Sequence, residues 1–140
     1  KSEIKILAEQ PADWDKAKAT AVMADWITRY GDDIDGVYGA DDTLAAGAWV
    51  ALEEAGYQKG DVVIVGMGGS KEGLAAVKYG LIYGTVLQSP VDAAEKAIEV
   101  IKMALDQNIQ PPAQLDPYFN FMPLPQITID NVDEYLPGDW

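Results

Sequence analysis

Three segments of this chain each join a short apolar run to a glycine-rich or polar turn that opens a helical pattern. The apolar runs are residues 36–38, 62–65 and 82–87, in that order along the chain. A run such as 62–65, which lacks polar alternation, is typical of a strand covered on both faces. Strands that alternate with helices favour right-handed crossovers and a parallel sheet. The sequence therefore predicts an α/β fold in which a mostly parallel sheet is flanked by helices on both faces.

Helix caps and breakers place the other elements. Ser89, followed by Pro90 and Asp92, is a strong helix start, because serine caps a helix and proline suits its first position. In the same way, Asp41 or Asp42 caps an earlier helix. The remaining predictions are a strand over 4–8, helices over about 13–30, 42–55, 70–79 and 89–106, an irregular proline-rich segment over 108–125, and an edge strand over 126–129.

Composition excludes several kinds of site. The chain has 140 residues, which suits one domain, and it carries 23 acidic against 10 basic residues for a net charge of −13. Because Arg29 is its only arginine, no basic face can neutralise phosphates, and nucleic acid is not an expected partner. The absence of cysteine and histidine excludes disulfides, thiolate zinc sites, thiol nucleophiles and imidazole bases. We therefore expect neither a metal centre nor a cofactor.

Polar residues follow each predicted strand. Open α/β sheets bind ligands beyond the carboxyl ends of their strands. This geometry collects residues 10–14, 39–42 and 66–70, together with Gln88, on one rim of the sheet. We take this rim as the candidate site.

Sharper chemical interpretations of this rim compete with ordinary structural ones. Gly66-Met-Gly-Gly-Ser70 follows a strand, but the third glycine of a dinucleotide fingerprint would fall on Lys71, so turn glycines are the favoured interpretation. Asp41 and Asp42 are adjacent carboxylates, yet neighbours at a helix start usually cap the helix or face solvent rather than form an acid/base or metal pair. Trp14 at a helix start is either a core anchor or a ligand contact.

These stretches, in this order, resemble the C-terminal part of the type I periplasmic sugar-binding proteins, the ribose/xylose-type solute-binding proteins of ABC importers. The resemblance rests on residues 10–15, 37–48, 65–70, 84–90 and 128–136. It implies the incomplete C-terminal lobe of a type I periplasmic-binding, Rossmann-like fold. It also implies a protein that binds a small polar solute, a sugar or sugar-like molecule, in an interlobe cleft, delivers it to a membrane permease and catalyses nothing. The implied location is periplasmic or extracytoplasmic, with a lipid anchor in organisms that lack an outer membrane.

The resemblance assigns roles to individual residues. In the family the aromatic residue at the position of Trp14, beside Asp13, stacks on the sugar. Asp41 stands where the family usually has an asparagine that contacts hydroxyl groups; an aspartate can still accept those hydrogen bonds but loses the donor. Gln88 matches the family's hinge glutamine.

One loop departs from the family pattern. Sugar binders usually have an aspartate in a Gly-Phe-Asp-Gly turn, whereas this chain has Met67 and Gly68 in the corresponding middle positions. The lost carboxylate makes a simple pentose doubtful. We expect a roomier, less polar floor that suits a larger or less hydroxylated solute.

The resemblance also divides the chain. Residues 1–88 correspond to βα units of the C-terminal lobe, 89–107 to a helix that packs on the other lobe, and 108–140 to a crossing segment, a last strand and a terminal turn. The family's central strand between residues 4–8 and 36–38 is missing, and the chain begins at Lys1, so we expect a processed product or a piece. The missing N-terminal half is expected as a separate chain, as a swapped copy or as a part of the protein outside these 140 residues, with hinge rotation near Gln88 and Asn120.

Two other functions stay open at this point. One is the effector-sensing domain of a LacI-type transcription regulator, which shares the fold. The other is a flavodoxin-like or nucleotide-binding enzyme domain, which a bound flavin or nucleotide would reveal by its absorbance.

Overall fold

The sheet has four strands, in the order β1 (Gly36–Tyr38), β2 (Val63–Val65), β3 (Gly84–Val86) and β4 (Gln126–Thr128). A computed structural model describes residues 4–107, 124–138 and 140. The first three strands are parallel and β4 is antiparallel to β3. The prediction of a mostly parallel sheet with an edge strand near residue 126 is confirmed.

Four α-helices occur in the described residues, and each begins at a capping residue. They are α1 (Lys16–Tyr30), α2 (Asp42–Glu54), α3 (Lys71–Lys78) and α4 (Pro90–Asp106), and short 3-10 turns lie at Gly31–Asp33 and Val132–Glu134. The predicted caps of α3 and α4 are confirmed, and Asp41 rather than Asp42 caps α2. α1 begins after Asp15 because positive φ angles at Asp13 and Trp14 keep those residues out of the helix. None of the helices in the described ranges is both long and apolar enough to cross a membrane.

Helices cover one face of the described sheet rather than both. α2 contacts β1 and β2, and α3 contacts β3 and β4. Because neighbouring parallel strands follow each other in chain order, right-handed crossovers place both helices on the same side. Ile64 on this side is 1% exposed, whereas Val63 on the other side is 48% exposed. The expectation of helices on both faces is not met in the described sheet. Placing helices on both faces would require the strand order to reverse, and the order β1-β2-β3 does not reverse.

The core lies between this covered face and the helices. Small residues let α1 pack closely on α2: a Cβ at Gly47 would stand 2.7 Å from the Lys16 carbonyl oxygen. Thr20 Oγ1 also donates to the Gly47 carbonyl across this contact, at 3.0 Å. The largest fully buried side chains are Met23, Leu52, Ile64, Leu74, Ile127, Val77, Val132 and Asp42.

The prediction of a strand over residues 4–8 is wrong. These residues have no regular secondary structure, and Ile4 and Ile6 are 90% and 69% exposed. A strand exists only through hydrogen bonds to a neighbour. The outer edge of β1 has no strand beside it in the described part of the chain, so residues 4–8 have nothing to pair with.

α4 stands apart from the rest of the described fold. No residue of this helix is buried. Its apolar side chains recur at helical spacing and are exposed; they are Val91, Ile98, Ile101 and Leu105. The proline-rich segment and Asn120, which were expected to form the crossing and part of the hinge, lie outside the described residues.

Candidate functional site

Four helix starts converge on the carboxyl edge of the parallel strands. At each start a side chain accepts a hydrogen bond from the backbone N–H three residues later. The acceptors are Asp15, Asp41, Ser70 and Ser89, at 2.8, 2.7, 3.0 and 3.2 Å respectively. The exposed ion pair between Lys16 and Glu72 joins the first turns of α1 and α3 across this edge. The sequence prediction that the strand ends share one rim is therefore supported by contacts between the elements.

Asp42 fixes the centre of the edge. It is 2% exposed, and its Oδ2 accepts hydrogen bonds from the backbone N–H of Ser70 at 2.9 Å and from the Ser70 hydroxyl at 3.0 Å. Its Oδ1 accepts from the Thr85 hydroxyl at 2.5 Å. One carboxylate thus links the start of α2, the start of α3 and strand β3. Such a buried group is stable only when its acceptor oxygens are satisfied, as they are here.

Two glycines make room for this carboxylate. A Cβ at Gly66 would stand 2.6 Å from Asp42 Oδ1, and a Cβ at Gly73 would collide with the same carboxyl group. Glycine inside a helix costs about 1 kcal/mol relative to alanine. Gly73 is therefore explained by the buried carboxylate beside it rather than by any need of α3.

The structure brings three of the predicted site positions together, namely Asp41, Gly68 and Gln88. Asp41 precedes the buried Asp42, and a Cβ at Gly68 would stand 3.2 Å from Asp42 Oδ2. The Gly68 carbonyl accepts from the backbone N–H of Gln88 at 2.9 Å. Asp41 and the intervening Met67 are half-buried, and Gln88 is exposed. Their ligand-binding roles remain predictions.

The floor at Gly68 is not open, contrary to expectation. Gly68 is buried with φ +133°, a conformation that favours glycine, and the ring of Trp140 lies beside it. A Cβ at this position would be 3.1 Å from Trp140 Cη2. The missing carboxylate is thus replaced by an aromatic ring and not by empty space.

Asp13 and Trp14 are held in an uncommon backbone conformation just before α1. Both have positive φ, +51° and +59°, and Trp14 is 69% exposed. The alternative of Trp14 as a core anchor is therefore wrong. Positive φ at a bulky residue is strained, and such strain concentrates at functional positions. The structure shows no contact from Asp13 or Trp14 to Asp41 or Gln88 in the described part of the chain, so it places them on the same edge without joining them.

The Lys18 ammonium beside Asp13 holds the pKa of that carboxyl below its usual value, first through a side-chain hydrogen bond of 2.7 Å and then through charge attraction. Replacing Lys18 with methionine should therefore raise the pKa of Asp13. At pH values above the ordinary pKa of the carboxyl group, the ion pair makes a small contribution to the stability of the fold. This contribution disappears as the pH falls through the lowered pKa of Asp13. Carboxyl ¹³C shifts of Asp13 across a pH titration measure the change.

Lys16→Met is the matched control, because Lys16 pairs with Glu72 and not with Asp13. An Asp13 titration that is the same in both variants and in the unaltered protein would contradict this account of the pKa.

Sequence reasoning missed two residues of this edge. The sequence interpretation makes Asp42 a second cap or a solvated neighbour. The largely apolar α2 behind it was the available signal that an acid in its first turn would be buried and would need partners. Trp140 gave no signal, since its place depends on the path of the chain after β4. No cluster of acidic side chains in the described residues has the arrangement of a metal site.

Residues 1–109 match the model of the family described as periplasmic binding protein domain. The chain belongs to the periplasmic binding protein family. This match covers well over half of the chain, so the resemblance seen in the sequence is confirmed.

Named relatives agree with the family match. The chain is 37% identical over 131 residues to the xylitol-binding protein of Mycolicibacterium smegmatis, covering 94% of this chain and 35% of that protein. It is 39% identical over 100 residues to the ribose import binding protein RbsB of Salmonella typhimurium, covering 71% of this chain and 33% of that protein. The chain thus spans about one third of the length of these curated relatives.

A solved structure confirms the fold. The periplasmic solute-binding protein of an ABC transporter from Actinobacillus succinogenes, with D-allose bound, matches with a TM-score of 0.78 at 27% identity. The match covers 94% of this chain and 44% of that one. The predicted fold class, an incomplete mostly parallel α/β lobe of a periplasmic binding protein, is confirmed.

Proposed function

We propose that this chain forms the ligand-binding part of a receptor for a small polar solute, a sugar or a sugar-like molecule, which it carries to an ABC importer. The observation that carries the proposal is the carboxyl edge of the sheet, where Trp14 and Asp41 precede the starts of α1 and α2, and Met67 and Gln88 follow β2 and β3. Family relatives named for xylitol and ribose support the same class of solute.

The chemistry of this edge suits a hydroxylated solute with an apolar face. The exposed indole of Trp14 offers a flat surface for the C–H face of a sugar ring. Asp41 uses Oδ1 to cap α2, and within the described residues its Oδ2 has no protein donor, which leaves an acceptor for hydroxyl groups. The Gln88 side chain both donates and accepts.

The complete receptor needs a second half, and two surfaces of this chain support contact with one. One is the exposed apolar stripe of α4, which has no partner among the described residues. The other is the outer edge of β1, where Tyr38 is 63% exposed. Unpaired strand edges and large apolar patches drive association. Gln88, which lies between β3 and α4, is the proposed hinge residue. Closure of the two halves around the hinge requires solute contacts that exist only in the closed state.

Binding without catalysis and an extracytoplasmic location follow from the same proposal. The relatives are named as binding or import proteins, which favours transport over effector sensing or enzymatic nucleotide chemistry. The permease that would receive the solute is a partner of the complete receptor.

Native mass spectrometry of the material as isolated tests the proposal. We expect the other half of the receptor, as a companion polypeptide, a second copy or a further part of the same protein, together with a retained small molecule. Calorimetric titration of that assembly with D-ribose, D-allose, xylitol, myo-inositol and D-fucose should then detect binding of at least one solute. The solute that binds should also raise the melting temperature of the assembly by mass action. An assembly that retains nothing and binds none of these would count against solute binding, and a bound flavin or nucleotide would replace it with the enzyme alternative.

A further inference from the structure

The chain that follows β4 returns to the candidate site along α3. Its 3-10 turn lies beside the last turn of α3, where Lys78 Nζ is 2.6 Å from Asp133 Oδ1. Residues 135–138 and 140, which we name the closing segment, then run toward the first turn of the helix. A Cβ at Gly138 would stand 3.1 Å from Leu74 Cδ1. The closing segment therefore spans α3 from its last turn to its first and brings Trp140 to the edge of the sheet.

The backbone of Trp140 completes the start of α3. The first N–H groups of a helix need acceptors from outside it. The N–H of Ser70 uses Asp42, the N–H of Gly73 uses the Ser70 hydroxyl, and the N–H of Lys71 donates to the Trp140 carbonyl at 2.8 Å. Trp140 thus belongs to the hydrogen bonds that fix the loop between β2 and α3.

The ring of Trp140 lies against Gly68, a residue of that loop with little free space around it. A Cβ at Gly68 would be 3.1 Å from Trp140 Cη2 and 3.4 Å from Cζ2. Gly68 itself is tied on both sides, because its N–H donates to the Val86 carbonyl at 2.8 Å and its carbonyl accepts from the N–H of Gln88 at 2.9 Å. Trp140 therefore contacts the residue that connects the β2 loop to the proposed hinge.

Part of the ring stays open at this edge. Trp140 is 44% exposed, and it lines a pocket of about 250 Å³ with residues from both sides of the proposed hinge and from the closing segment, among them Gly69, Leu87, Ser89 and Tyr135. The pocket lining also includes the polar side chains of Ser89 and Glu134, so the Trp140 ring is an apolar surface within a mixed lining.

We propose that Trp140 is a specificity-determining residue of the solute site: its ring takes the space beside Gly68 and presents an apolar wall to the bound solute. The proposal rests on the solute-binding function proposed above and deepens it. Trp140 selects for a solute with a C–H-rich group next to its ring, such as a deoxy sugar, over the otherwise identical solute that carries a hydroxyl group there. A hydroxyl against the ring would lose its water without gaining a hydrogen bond.

Matched solute pairs test this selection in the complete receptor, with this chain joined to its other half. The pairs are D-fucose with D-galactose and 2-deoxy-D-ribose with D-ribose, each differing by one hydroxyl. We expect the unaltered receptor to bind the deoxy member of at least one pair more tightly. Trp140→Ala should reduce that preference about fivefold, since the aromatic contact is lost. Tyr79→Ala, which removes an exposed aromatic at the opposite end of α3, should leave the preference unchanged.

The outcomes separate this proposal from the proposed function. A receptor that binds solutes but shows the same preference with and without Trp140, or loses affinity for both members equally, overturns the role of Trp140 and leaves solute binding intact. A receptor that binds no solute overturns both.

A second measurement does not depend on how well Trp140→Ala folds. In receptor labelled with 5-fluorotryptophan, the ¹⁹F resonance of Trp140 is identified by its absence in Trp140→Phe. Saturation with the solute that binds in the calorimetric titration should shift that resonance. A Trp140 resonance that does not move on saturation contradicts contact with the solute.

Discussion

Replacing Asp42 with alanine is expected to destabilise this fold by about 3 kcal/mol, the cost of removing a buried acceptor whose donors stay behind. The backbone N–H of Ser70 cannot rotate to another acceptor, and the Ser70 and Thr85 hydroxyls lose a charged partner. For a chain of this size the loss corresponds to a fall in melting temperature of roughly 10 °C. Urea unfolding followed by circular dichroism measures it.

The neighbouring aspartate is the matched control. Asp41→Ala removes one capping bond to the N–H of Leu44 and should cost about 1 kcal/mol. Asp42→Asn keeps the shape but places an N–H₂ group where an acceptor is needed, so its stability should fall between the two alanine variants. Equal destabilisation by Asp41→Ala and Asp42→Ala would show that Asp42 is not the link among the three elements.

Local signals were sufficient for most of the fold. Strand runs and helix caps depend on a few neighbouring residues, so β1 to β4 and the starts of α3 and α4 could be predicted from the sequence. Residues 4–8 show where this method stops: their apolar pattern is that of a strand, but a strand also needs a partner, which no local pattern supplies. The number of covered faces has the same limit, because it depends on strand order.

The candidate site was predictable in part, for the same physical reason. The rim follows from the general rule that parallel strands end together, and the sequence alone places Asp41, Gly68 and Gln88 on it. What lies beside Gly68 depends on long-range packing: Asp42 reaches it from α2, and Trp140 reaches it after the chain has passed through β4. The expectation of a roomier floor at Gly68 is wrong because the ring of Trp140, which is distant in sequence, lies where the missing carboxylate would leave space.

Trp14→Ala is expected to weaken solute binding by about thirtyfold, the effect of removing one aromatic anchor worth about 2 kcal/mol. The melting temperature without solute should hardly change, since Trp14 is 69% exposed and alanine takes the same positive-φ backbone at a similar cost. Trp14→Phe, which keeps a flat ring, should recover most of the affinity. Calorimetric titration of the complete receptor with its best-binding solute gives each dissociation constant.

Tyr83 provides the control for this prediction. It is 66% exposed and lies just before β3, at the opposite edge of the sheet from Trp14, so Tyr83→Ala removes a similar aromatic surface without touching the site. If both alanine variants bound the solute as tightly as the unaltered receptor, Trp14 would lie outside the site, and its strained backbone would need a different explanation. A thirtyfold loss confined to Trp14→Ala, and recovered by phenylalanine, would show that the strain at residues 13 and 14 holds an aromatic ring where the solute binds.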